Sequence, residues 1–161
     1  MKIFSLLLLC YFSNFSLCKA DWGPSSKEQL IEHSQLIVVA EFIEVTETKT
    51  ADNFSTQTAK LKITQTIKGV APKELLVYGT KSDLCKPQFI FPDKKGEQYL
   101  LFLYATDGKY TVVSGPYGAL TITDKKVPWY ISDQPSDLST RKAKELTTVI
   151  SEIELISSPK K

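Results

Sequence analysis

Residues 97–123 read EQYLLFLYATDGKYTVVSGPYGALTIT, and this stretch decides the fold class. The run 98–104 is apolar on both faces and too short for a free-standing helix, so it predicts a strand that is covered on both sides. Asp107-Gly108 then separates it from a second apolar run, which is a strong hairpin signal because both turn residues must accept positive φ. A third run at Ala119–Thr123 completes a β-meander.

Two long strands and a short one are predicted before this meander. Leu36–Val45 is apolar on both faces at first and alternates imperfectly later, which indicates a bulge or a bend. Residues 58–68 alternate cleanly and predict a sheet with one wet face that carries a row of lysines. The polar stretch Thr46–Thr56 between them is interpreted as a loop, and Glu74–Tyr78 as a short third strand.

Helices are predicted at both ends of the folded region. A capping box at Ser25 or Ser26 opens a short helix whose Leu30 and Ile31 face the sheet. Apolar residues recur at helical spacing from Ser139 to about Ile156, although the charges of this tail helix oppose the helix dipole. A helix with this charge arrangement is weak alone and should form only by packing on the barrel, so deleting the tail is expected to lower stability. Between the meander and this tail, the apolar segment 127–131 contains a proline and is interpreted as a final edge segment.

The first twenty residues have the features of a signal peptide. Lys2 precedes an apolar run that is shorter than a membrane span, and small residues stand at Cys18 and Ala20, where a signal peptidase reads the chain. We therefore expect a secreted or periplasmic protein that begins at Asp21, with lipid anchoring through Cys18 as a minor alternative. The mature chain would carry 18 basic and 18 acidic residues, because Lys2 and Lys19 are removed from the 20 basic residues.

The irregular region Gly79–Gly96 is the candidate functional loop. Long loops with apolar side chains are either functional or packed over the end of a barrel. Cys85 is the one cysteine beyond the leader, so it is interpreted either as a small buried hydrophobe or as a reactive or intermolecularly paired thiol. The residues singled out in this loop are Cys85, Pro87, Phe89 and Phe91.

Several classes of chemistry have no support in the sequence. His33 is the only histidine, which removes multi-histidine zinc sites, and no phosphate-binding glycine loop or nucleophile elbow is present. A Cys85–His33 nucleophilic pair is conceivable but has no flanking signature. The neutral charge balance gives no reason to expect nucleic acid, and the lysine row is interpreted as a solvated face rather than an anion-binding one. No cofactor and no metal are expected, and Asn53 is a glycosylation acceptor only in a eukaryote.

The order of these elements resembles the netrin-like, tissue-inhibitor-of-metalloproteinase-like OB-fold group, including its small exported bacterial members. The resemblance spans about Ser26–Ile131 and implies a five-stranded OB-like Greek-key barrel with a short N-terminal helix. The animal inhibitors begin with Cys-x-Cys, whereas residues 21–24 read DWGP, so the fold carries over better than the inhibition does. The matching segments are 34–41, Ile67-Lys68-Gly69, Cys85 with 96–102, and 107–110.

These observations predict a mainly β protein with a leader at 1–20, an OB-like β-barrel domain at 21–131, and a linker with a C-terminal amphipathic helix packed on the barrel at 132–161. The expected function is that of an exported, non-catalytic binding module that acts on a protein partner, for example as a protease inhibitor. Alternatives are an oligosaccharide- or other ligand-binding envelope protein and, last, a cysteine-dependent enzyme. We expect a monomer with no stable membrane insertion after leader cleavage.

Overall fold

The computed structural model describes residues 25–49, 54–82 and 89–158. Two short 3-10 turns, Gly115–Gly118 and Leu138–Thr140, lie between the strands of its second half. The helices and strands, in chain order, are α1 (Lys27–Glu32), β1 (Leu36–Lys49), β2 (Phe54–Lys68), β3 (Leu75–Ser82), β4 (Gln98–Thr106), β5 (Lys109–Val112), β6 (Ala119–Ile122), β7 (Lys126–Trp129), β8 (Lys142–Glu145) and α2 (Leu146–Ser157).

Six strands form one sheet in the order β1-β2-β3-β5-β4-β6, and β1 also pairs with β4. The hydrogen bonds therefore run in a ring through β1, β2, β3, β5 and β4. β6 pairs with residues 98–101 of β4, whereas β5 pairs with residues 103–106 of the same strand. The pairing between β3 and β5 is parallel and consists of one residue pair, Val77 opposite Tyr110, so it is the shortest of the pairings that close the ring. The architecture is mainly β, as the sequence predicted.

β4 is the central strand, and both of its faces are buried. Leu101 and its inward-facing neighbours lie within the ring, where they contact apolar side chains of β1, β2 and β3. Phe102 points the other way, into a second cluster with α1, α2 and β7, where its ring stacks on Trp129 with centroids 6.1 Å apart. The predicted double coverage of this strand is confirmed.

The meander and its hairpin are also confirmed. Asp107 and Gly108 have φ values of 51° and 75°, the positive angles that the tight turn between β4 and β5 requires. The predicted capping box forms at Ser26, whose hydroxyl accepts a hydrogen bond from the Gln29 N–H while the Gln29 side chain accepts one from the Ser26 N–H. β1 shows three register shifts against β2, so the predicted irregularity of this strand is present.

The predicted loop at Thr46–Thr56 is wrong, because both strands continue through most of it. β1 extends to Lys49 and β2 begins at Phe54, which leaves residues 50–53 between them. Threonines face each other across this extension, at Thr46 with Thr58 and at Thr48 with Thr56. β-Branched side chains favour extended backbone, so a polar composition rich in threonine was misread as a loop.

The tail helix begins at Leu146 rather than at Ser139. Residues 142–145 form β8, an antiparallel partner of β7, so the predicted final edge segment is paired. The lysines that opposed the helix dipole therefore lie in a strand, where that conflict does not arise. The remaining helix buries Val149, Ile150 and Ile153 in the cluster shared with α1 and β4. Neither of the two described helices is long and apolar enough to cross a membrane.

Candidate functional site

Of the predicted functional loop Gly79–Gly96, residues 79–82 are not loop but the end of β3, residues 89–91 are buried or half-buried, and residues 92–96 are exposed. Phe91 is 2% exposed and packs against Phe42 and Tyr99, with ring centroids 6.1 and 5.3 Å away, and half-buried Phe89 contacts Phe91 edge-on. The buried Gln57 side chain donates to the Phe91 carbonyl at 2.9 Å and accepts from the Phe91 N–H at 2.8 Å. Phe89 and Phe91 are thus held as packing residues at the ring.

Cys85 and Pro87 lie outside the described residues, so their part in a site stays a prediction. His33 is exposed at the C-terminal end of α1, and its N–H donates to the Gln29 carbonyl there. The Cys85–His33 pair is therefore neither supported nor opposed by the geometry. Within residues 25–49, 54–82 and 89–158, no group of three or more His, Cys, Asp or Glu side chains has the arrangement of a metal site.

The lysine row on β2 is balanced by carboxylates. Lys60 lies opposite Glu44 of β1 and forms an ion pair with Glu74 at 2.6 Å, and Lys62 lies opposite Glu41. The hydrogen bond to Glu74 also raises the pKa of Lys60 above its ordinary value. A face of alternating charge is typical of a solvated sheet surface, in agreement with the interpretation from the sequence.

A different feature, the gap between β6 and β7, has the shape of a binding site. The two strands are joined by a two-residue turn, Asp124-Lys125, with φ values of 51° and 61°. Thr123 and Lys126 exchange both backbone hydrogen bonds at 2.9 Å, as at the start of a hairpin. Beyond this pair no ladder joins β6 and β7 in the described residues, and β7 forms a separate two-stranded sheet with β8.

Pro128 gives a physical reason why the ladder between β6 and β7 stops after Thr123–Lys126. Hydrogen-bonded pairs recur at every second residue of an antiparallel hairpin, so the pair after Thr123–Lys126 would be Thr121–Pro128. Proline has no N–H and cannot donate to the Thr121 carbonyl. The hairpin therefore lacks one hydrogen bond at its second step, where the ladder between the two strands stops.

The direction of the hydrogen bonds shows that Thr121 faces this gap. The carbonyl of Glu97, just before β4, accepts from Phe42 of β1, and that of Leu103 in β4 accepts from Gln35, just before β1. The Phe102 carbonyl accepts from Val113 on the other side. Odd-numbered residues of β4 thus bond toward β1 and even-numbered ones toward β6. Since Leu120 and Ile122 lie opposite Leu100 and Gln98, they bond to β4, and the intervening Thr121 presents its N–H and C=O away from it.

The gap is a cleft of about 360 Å³, called here the β6–β7 cleft. One wall is the edge of β6, and the other is formed by β7 and β8. The only ladder of β6 within the described residues is the one with β4, so the opposite edge of the strand, which Thr121 faces, belongs to no ladder. The cleft therefore lies beside the edge of β6 that faces away from β4. Its lining residues are Thr121, Thr123, Asp124, Lys126, Val127, Pro128 and Ala143.

Arg141 lies outside the residues that line the cleft and links the segments that flank β6 and β7. It has extended backbone and stands two residues before Ala143, so both side chains lie on the same face of the chain. Its Nη1 donates to the Tyr117 carbonyl, just before β6, at 3.3 Å, and its Nη2 donates to the Tyr130 hydroxyl, just after β7, at 2.6 Å. One side chain thus connects the residue before the start of β6 with the residue after the end of β7.

Sequence reasoning missed this site, although two signals for it were present. Asp124-Lys125 was not recognised as a turn because neither residue is glycine. Pro128 was interpreted as the mark of an edge segment rather than as the residue that stops a hairpin. These two features indicate a cleft only when the pairing of β6 with β4 is already known.

Comparisons of the chain with protein-family models, with curated proteins and with solved structures found no match. The resemblance to the netrin-like group stays a prediction from the residues.

Proposed function

We propose that this protein is an exported, non-catalytic OB-like binding module that captures an extended segment of a protein partner on the edge of β6. Five strands in a hydrogen-bonded ring, with a parallel pairing between the third and fifth, support the OB-like part of the proposal. The leader features of residues 1–20, which lie outside the described residues, support export.

The observation that carries the proposal is the edge of β6 at Thr121, which faces away from β4 beside the β6–β7 cleft and belongs to no ladder in the described residues. An extended peptide that adds to a sheet edge gains main-chain hydrogen bonds, and neighbouring pockets for alternate side chains give it specificity. Here Val127, Pro128 and Ala143 line the cleft with apolar side chains. Pro128 has no N–H to donate to the Thr121 carbonyl, so the sequence prevents β7 from pairing fully with this edge.

A peptide segment suits the surface better than the alternatives. Oligosaccharides and single-stranded nucleic acids are bound on exposed aromatic rings, and no aromatic side chain whose burial the structure describes is exposed. The charged face of β2 is balanced, which gives an anionic polymer no continuous basic surface. The β6 edge offers what an extended backbone needs, namely one donor and one acceptor in line.

The test compares two substitutions at one position in a pull-down from an envelope extract. Thr121→Pro removes the outward N–H without removing a bond to β4, whereas Thr121→Ala changes the side chain and keeps that N–H. We expect Thr121→Pro to lose the captured protein and Thr121→Ala to retain it, with similar melting temperatures. Equal capture by both variants would contradict binding at this edge.

A second variant closes the cleft from the other side. Pro128→Val supplies the missing donor opposite the Thr121 carbonyl, so the β6–β7 hairpin can extend by one hydrogen-bonded pair. We expect this protein to be folded, at least as stable as the parent, and unable to capture the partner. Undiminished capture would show that the cleft is not the binding site.

Export is tested separately by sequencing the N-terminus of the protein recovered from the envelope fraction. We expect the chain to start at Asp21. Recovery of protein that still begins at Met1 from the cytosol would refute export without affecting the cleft.

A further inference from the structure

A second cleft, of about 350 Å³, lies where the C-terminal ends of α1 and α2 meet the end of β2. Its volume is at the lower end of the range of small-molecule sites in proteins. It shares no lining residue with the β6–β7 cleft, so it is independent of the peptide site proposed above. The residues that line this second cleft, called here the helix cleft, are Glu28, Ile31, Glu32, Lys68, Ile156 and Ser157.

Two of the lining residues are apolar and belong to the core. Ile31 is 1% exposed, and the half-buried Ile156 packs against the same cluster of buried side chains. Close packing holds such side chains in place. The helix cleft therefore offers a fixed apolar surface to the apolar part of a ligand.

Two carboxylates line the helix cleft without a counterion from the protein. Glu28 and Glu32 are four residues apart in α1, so they lie on the same side of that helix. Neither forms an ion pair with another described residue. Like charges at this spacing destabilise a helix, and an acidic residue at its C-terminal end opposes the helix dipole. Since α1 has no basic residue in its last turn, a positively charged ligand group would relieve this arrangement.

One ammonium group is fixed at the same cleft. Lys68 Nζ donates to the Ile31 carbonyl at 2.7 Å, which holds the group at the C-terminal end of α1. It forms no ion pair with a carboxylate of the described residues, Glu28 and Glu32 included. An ammonium group has three donors, so two remain for a ligand or for water. The helix cleft thus presents both signs of charge at separate positions.

We propose that the helix cleft binds a small zwitterion with an apolar side chain, namely a free α-amino acid. Glu28 and Glu32 bind its ammonium group, and Lys68 binds its carboxylate. The apolar side chain of the ligand lies against Ile31 and Ile156. Every charged lining residue then has a partner of opposite sign, and each of these contacts is a charge-assisted hydrogen bond.

The experiment is an NMR titration of the isotopically labelled full chain with three probes that share one side chain. L-leucine carries both charges, L-leucine amide carries only the ammonium, and N-acetyl-L-leucine carries only the carboxylate. We expect L-leucine to shift the backbone signals of Ile31, Lys68 and Ile156. It should bind about fivefold more tightly than either analogue, which is the contribution of one ion pair at a partly exposed site.

Each alternative outcome overturns the proposal and leaves the β6–β7 cleft unaffected. Equal binding of L-leucine and its amide would exclude the contact between Lys68 and a carboxylate. Equal binding of L-leucine and its N-acetyl form would exclude the contact with the two glutamates. Absence of shifts with every probe would exclude the site. If L-leucine bound only to a variant that ends at Ser158, the cleft would be a site for Lys160 or Lys161 of the same chain.

Two substitutions give an independent readout, with Lys62→Met as the control. Glu32 is exposed and unpaired among the described residues, so Glu32→Gln should fold like the parent and weaken L-leucine and its amide alike, without weakening the N-acetyl form. Lys68→Met should weaken L-leucine and leave the amide unchanged. Lys62 is an exposed lysine of the same strand outside the cleft, so its variant should bind L-leucine like the parent. Because Glu32→Gln leaves the bond between Lys68 and α1 in place, the proposal is tested even if Lys68→Met fails to fold; unchanged binding of L-leucine by Glu32→Gln would contradict it.

Discussion

Replacing Phe102 with alanine tests whether β4 is the doubly covered centre of the fold. Phe102 is 0% exposed, and its ring stacks on Trp129 in the cluster between the sheet and the two helices. Truncating a buried phenylalanine costs about 3–5 kcal/mol through lost transfer free energy and the cavity left behind. Domains of this kind have a total free energy of unfolding of only about 5–15 kcal/mol. Phe102→Ala should therefore remove a large share of the stability.

The assay is urea unfolding followed by tryptophan fluorescence, with Thr66→Ala as the control. Thr66 is an exposed residue of β2, so its truncation should cost less than ~1 kcal/mol. The midpoint for Phe102→Ala should fall far below that of the control at an unchanged slope. Similar midpoints for the two variants would refute the central position of β4, and with it the two-sided core.

Three further changes probe other parts of the structure. Gln57→Ala leaves the N–H and C=O of Phe91 without partners in a buried setting, and should cost on the order of 3 kcal/mol by denaturant midpoint. Ile153→Ala should cost about 2–5 kcal/mol, whereas Leu155→Ala, at a position 77% exposed in the same helix, should cost almost nothing; equal losses would mean that α2 packs through another face. Burial raises the pKa of the Glu152 carboxyl, but hydrogen bonds from Lys144 and Trp129 outweigh it and hold the pKa below its ordinary value. The stability from Glu152 is therefore present above the unfolded pKa of about 4.3 and is lost as the pH falls through the lower, folded value; Glu152→Gln should flatten that part of the melting curve against pH, and an unchanged curve would contradict the linkage.

The meander was predictable because its signals are local. A doubly apolar run at 98–104 and the Asp107-Gly108 turn specify a central strand and a hairpin without knowledge of the remaining chain. The capping box at Ser26 is local in the same sense, since both of its hydrogen bonds form within four residues. Each of these features is confirmed.

The tail was misread because tertiary pairing overrides local propensity. Residues 142–145 are charged or small and continue the helical spacing of α2, so nothing local separates them from the helix. They form a strand because β7 has a free edge beside them. The unfavourable placement of lysines against the helix dipole was the one sign that this turn of the helix would not form.

The candidate site was out of reach for a related reason. Phe89 and Phe91 are apolar residues in an irregular segment, and only the fold shows that Gln57 fixes Phe91 in the core. The β6–β7 cleft lies where Pro128 lacks an N–H. That this matters for Thr121 follows only from the register of β6 on β4, which the sequence does not reveal. Arg141 was visible as the only arginine, but its burial and its two tyrosine neighbours come from the fold.

The most direct test of the central claim is hydrogen–deuterium exchange at Thr121, measured by NMR on the protein alone and in complex with the captured partner. Leu120 and Ile122 donate to β4 and should be protected in both states. The account predicts that the Thr121 N–H exchanges quickly in the free protein and becomes protected in the complex. Protection of Thr121 in the free protein, or fast exchange that persists in the complex, would contradict an open edge on β6 that receives the partner.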